Sequence, residues 1–153
     1  MDWSGLIKTF ISDGIDEYAE EYNIPVSELQ ICIKTDDIET CSPIYILRTN
    51  DNPLLKEIKV SDLADMSGAM SMLSMFINAD TINEMVNPYI AQFIYKISIE
   101  ENIEPQNVRL ILKKKALENN KTELKSYLFK LSENKNQFVC EIELQRIMEM
   151  FKQ

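Results

Sequence analysis

The chain has 153 residues, 45% of them hydrophobic and 27% charged, with a net charge of −9 and no histidine. That size and balance suit one compact domain or two small ones sharing a core, and they exclude a disordered tail. The absence of histidine removes Ser-His-Asp and Cys-His nucleophile systems and every His-containing metal site. With three glycines there is neither a G-x-G-x-x-G turn nor a P-loop.

The first element expected is a helix in which Ser4 caps a run of Leu6, Ile7, Phe10, Ile11, Ile15, Tyr18 and Tyr22 at helical spacing. Its polar face gathers Asp13, Asp16, Glu17, Glu20 and Glu21. The i,i+4 pairs among them repel by about 0.2–0.5 kcal/mol each, so a basic partner surface would convert repulsion into attraction. Asn23-Ile24-Pro25 ends the helix. A strand over 29–34 follows, then a hairpin of strands 44–49 and 55–60 around Asn50-Asp51-Asn52-Pro53, and then a helix over 62–78. In that last segment Met66, Met70, Leu73 and Ile77 form an apolar stripe. Met72 and Met75 widen it into a surface suited to an irregular partner or a second copy.

The second half runs through the same order. Thr81-x-x-Glu84 reads as a capping box ahead of Val86, Tyr89, Ile90, Phe93, Ile94 and Ile97. Pro88 either kinks this helix or begins it after an Asn87 cap. Asn102-Ile103, followed by Pro105, closes it. Strands are expected over 108–113, 125–131 and 137–143, with a short final helix from Leu144. Residues 10–34 align without gaps on 89–113, matching Ile11 with Ile90, Ile15 with Ile94, Asn23 with Asn102, and Ile24 with Ile103. The expected fold is therefore α+β: two tandem αβββα units from an internal duplication, antiparallel sheets covered by helices, with a truncated final helix in the second. The units span 1–79 and 80–153. The first holds 14 acidic and 5 basic residues, hence −9, whereas the second is balanced at 11 and 11.

Helix, three antiparallel strands, helix is similar to the element order of double-stranded-RNA-binding domains. That likeness implies lysines at the start of the second helix to grip phosphates. Here those positions hold Asp62 and Asp65 in the first unit and Gln145 and Arg146 in the second, so RNA binding does not carry over.

Cys32 and Cys140 lie in apolar strand-like runs and read as small buried hydrophobes, whereas Cys41 sits in a loop open to solvent. Three cysteines are one short of a tetrathiolate zinc site. No apolar stretch reaches the roughly 20 residues of a membrane span, and no signal segment opens the chain. The expected location is cytoplasmic, or a virion if the gene is a phage's. No cofactor, metal, membrane or small-molecule substrate is implied.

The leading expectation is a non-catalytic protein-interaction or assembly module, such as a small phage-encoded inhibitor, adaptor or virion component. It would bind a protein partner or itself through Asp13, Asp16, Glu17 and Glu20, through Met70, Met72 and Met75, and through Met148 and Phe151 of the short last helix. The alternative is nucleic-acid binding by Arg109, Lys113, Lys114 and Lys115. That patch shows no interleaved aromatic, and contact with the acidic first half is its expected use. A second alternative is a divalent-metal enzyme built on the loop carboxylates Asp36, Asp37 and Glu39.

Overall fold

A computed structural model of the chain describes residues 4–67 and 78–151. Helix α1 (Ser4–Tyr22) is followed by strands β1 (Gln30–Thr35), β2 (Pro43–Arg48) and β3 (Lys56–Ile58), then helix α2 (Val60–Met66). Helix α3 (Ala79–Glu100) leads into β4 (Val108–Ala116), β5 (Thr122–Ser132) and β6 (Lys135–Ile142), and α4 (Leu144–Met148) closes the described chain with a 3-10 turn over Glu149–Phe151. The fold is α+β. The six described strands form one antiparallel sheet in the order β3-β2-β1-β4-β5-β6, which answers a question the sequence leaves open, whether the two halves share a sheet. The join is the central pair β1 and β4, with Gln30 opposite Lys113 and Ile33 opposite Leu110.

Both long helices stop for the same local reason. Asn23 and Asn102 take left-handed backbone angles, with φ of 55° and 53°. The following amide reaches back five residues in each case, Ile24 N to Ala19 O and Ile103 N to Ser98 O, both at 2.9 Å. Asparagine tolerates this conformation, and the bond satisfies a carbonyl that the helix end would otherwise leave open. A two-residue turn at Glu133-Asn134, both at positive φ, joins β5 to β6 and fixes their register.

Helix α3 starts earlier than the capping box suggested. Asn78 is the cap, accepting from Thr81 N at 2.9 Å, and the helix runs through Pro88 without interruption. The carbonyl that Pro88 cannot bond belongs to Glu84, on the exposed side where water can serve it. Of the helix expected over 62–78, α2 covers the first part, and residues 68–77, with Met70, Met72 and Met75, lie outside the described residues.

One core lies between the helices and one face of the sheet, joining side chains of all four helices to Ile31, Ile33, Leu47, Leu110, Leu112 and Leu128. Helices α1 and α2 approach at Gly14, where a Cβ would run into the Leu63 side chain. Met148 and Phe151 belong to this core at 3% and 2% exposure, and the Phe151 ring meets Tyr89 edge-on at 5.4 Å. Their apolar surface is thus buried within the chain, which corrects the expectation that they wait for a partner. Among the described residues no helix is long and apolar enough to cross a membrane.

Candidate binding surface on the open face of the sheet

Alternation along β4 sends Val108, Leu110, Leu112 and Lys114 to the helical side and Arg109, Ile111, Lys113 and Lys115 to the other. Lys114 is the one lysine buried among the described residues, and its Nζ donates to Asp16 Oδ1 of α1 at 2.7 Å. It is therefore unable to serve the basic patch in which the sequence placed it. Arg109 does lie on the outer face, but its Nη1 donates to the carbonyls of Gln106 and Val108 at 2.8 and 3.0 Å. Lys113 faces outward with its Nζ 5.5 Å above the Tyr127 ring.

The strand pairing brings further groups to that face. Ile111 is opposite Tyr127 on β5 and Cys32 on β1, Lys113 is opposite Gln30, and Gln30 is opposite Arg48 on β2. Phe129 is opposite Phe138 on β6, next to a bulge that shifts the β5–β6 register. The Phe129 and Phe138 rings meet edge-on at 5.5 Å, and Tyr127 lies 6.4 Å from Phe138. Phe138 is 60% exposed. Beneath them Cys32 and Ile111 are buried at 4% and 3%, outside the helix-side core and covered by the long side chains around them. Burial pushes the Cys32 thiol up, and the nearby Arg48 and Arg109 charges offset part of that rise.

These side chains bound an open concavity of about 450 Å³ lined by Gln30, Arg48, Lys113, Tyr127, Phe129 and Phe138, among others. Gln30 Nε2 donates to Asn50 Oδ1 at 3.1 Å on its rim. Arg48 Nε is buried with no hydrogen-bond partner among the described residues. Lys125, lower on the same face, is held by Glu123 at 3.6 Å and Glu141 at 3.5 Å, and those two charges raise its pKa.

The acidic residues singled out on α1 sit on the opposite side of the molecule. Asp13 accepts from Ser67 Oγ at 2.8 Å and Asp16 holds Lys114, while Glu17 and Glu20 are exposed. In the loop after β1, Asp37 accepts from Thr40 Oγ1 at 2.8 Å and from the amides of Glu39 and Thr40, and these bonds lower its pKa. Its carboxylate thus pins the turn, and Asp36 lies 3.5 Å from Lys34. Among the described residues no cluster of three or more His, Cys, Asp or Glu is placed to hold a metal ion. Cys41, expected in the open, is 1% exposed. Burial and the Asp37 charge raise its pKa, which keeps the thiol protonated and unreactive.

Arg48, Tyr127, Phe129 and Phe138 were not among the residues marked from sequence. No protein-family model matches the chain, and no curated protein or solved structure is significantly similar to it.

Proposed function

We propose that the chain is a non-catalytic binding module that receives an anionic partner on the open face of its sheet. The observation that carries this is the concavity around Lys113, lined by two cations, Arg48 and Lys113, and by three rings of which Phe138 is exposed. Every described helix packs on the other face, so nothing among the described residues competes for this one. Its chemistry suits recognition: two cations, three rings and three amide side chains line the hollow, with no carboxylate–nucleophile pairing among them.

The net charge of −9 does not oppose this placement. The exposed carboxylates of α1 lie beyond the sheet, on the order of 10 Å from the outer face, one packing layer away. At physiological salt the screening length is about 8 Å, so their repulsion there is weak. Segregated charge also orients an approaching polyanion toward the basic side.

A short heparin oligosaccharide tests the reading without knowledge of the natural partner. Titrated into labelled protein at low salt, it should shift amide resonances around Arg48, Lys113 and Phe138 and leave α1 unmoved. Shifts confined to the helical side, or none, would defeat it.

We also infer that residues 1–79 and 80–153 descend from one repeated αβββα unit. The shared element order, the mirrored strand order about β1 and β4, and the Asn-Ile helix ends support that history.

A further inference from the structure

Resting on that reading of the open face, we propose that its occupant is a single-stranded nucleic acid, with bases stacked on Tyr127, Phe129 and Phe138 and phosphates held by Arg48 and Lys113. Of the three rings Phe138 is exposed and Tyr127 and Phe129 are half-buried at the wall of the hollow, and rings beside cations are the two elements a flexible strand needs: a π-surface for a splayed base and a charge for the backbone between. The three rings form one contiguous cluster at 5.5 and 6.4 Å centroid separations, and Lys113 Nζ lies 5.5 Å from the nearest of them.

Two observations favour this occupant over a folded protein or a duplex. The aliphatic residues at the centre, Cys32 and Ile111, are buried, so the hollow offers mainly rings, cations and amide side chains and lacks the continuous aliphatic patch of a protein interface core. A duplex keeps its base faces stacked inside and would leave the rings unused. Arg48 lines the hollow beside Lys113, where its guanidinium supplies the second cation for a phosphate. Lys125, Arg109 and Lys34 are already engaged by Glu123 and Glu141, by backbone carbonyls, and by Asp36. The phosphate contacts expected are therefore few, and affinity should depend heavily on stacking.

The test is fluorescence anisotropy on the full chain with labelled poly-U and poly-dT strands of about 12 nucleotides, within the reach of one such platform. A duplex of equal length is the control, with about 50 mM salt as the starting condition. The expected result is binding of a single strand more tightly than the duplex. Tyr127→Ala and Phe138→Ala should each weaken it by at least about fivefold, with thermal unfolding near that of the parent. With two phosphate contacts, log affinity should fall against log salt with a slope of about −1.4, and Lys113→Gln should reduce that slope by about half. Preference for poly-U over poly-dT would assign RNA through its 2′-hydroxyls, and the reverse would assign DNA. Either satisfies the proposal.

No binding of either strand at low salt overturns it. So does equal binding of the duplex, or binding indifferent to both aromatic substitutions. If heparin still shifts the open face in those cases, only the identity of the occupant is wrong. If heparin leaves the face unmoved as well, the binding surface itself is misassigned.

Discussion

Along β4, Val108, Leu110 and Leu112 meet the helices at 2% exposure or less, while Arg109, Ile111 and Lys113 point the other way from the same backbone. Ile111 is as buried as its inward neighbours, at 3%, yet for a different reason. The inner residues are enclosed by rigid helices packed across the sheet. Ile111 lies at the floor of the open hollow, with Lys113 and Tyr127 among the side chains that line it. Equal burial thus conceals unequal surroundings: one face is a core packed under helices, and the other borders a hollow open to solvent.

The largest test of that difference is a pair of truncations. Leu110→Ala removes a fully enclosed side chain and should cost about 2–5 kcal/mol in denaturant unfolding. Phe138→Ala on the open face should cost about 1 kcal/mol or less, mostly its edge-on contact with Phe129. Comparable losses would mean that the open face is part of the structural core.

Next in size is the one buried lysine among the described residues, Lys114. Asp16→Asn leaves Lys114 buried without its anion. The cost should be about 1–3 kcal/mol, below that of a fully buried pair because the Asp16 carboxylate is half exposed. Lys114→Met, which keeps the stem and removes the charge, should cost less. The reverse order would show that the pair contributes packing rather than charge compensation.

The smallest expected effect concerns pH. Burial, reinforced by Asp62 and Glu21, holds the Tyr18 phenol up to about 12. A pKa raised in the folded state favours folding fully below the unfolded value of about 10, and the contribution is lost as pH rises through 12. Tyr18→Phe should change stability at neutral pH by less than about 1 kcal/mol and unfold at a higher pH than the parent. Coincident alkaline transitions would remove the phenol from the account.

The strands and helix ends were legible because their signals are local. Asn-Ile before a proline stops a helix wherever it occurs, and alternation marks a strand within six residues. The charge complementarity of the halves was legible too, and Lys114 with Asp16 realises it in one pair. The open face was not legible, because period-two alternation states that two faces differ without stating which strands lie side by side. No ring interrupts Lys113-Lys114-Lys115 along β4, so the segment looks bare of aromatics. Tyr127 and Phe129 arrive from β5, Phe138 from β6 and Arg48 from β2, and only the strand order places them together. Cys41 was misplaced for a related reason: a loop position says nothing about what folds over it.

The central pairing of β1 with β4 also sets a timetable. Gln30 and Lys113 are about 80 residues apart in sequence, so their contact closes a long loop, whereas each flanking hairpin closes a short one. During synthesis β1 and β2 leave the ribosome well before β4 exists, and one long edge of β1 waits with its amides and carbonyls unpaired. Conditions that slow translation between the halves should raise aggregation of this chain more than equal delays after β4 has emerged.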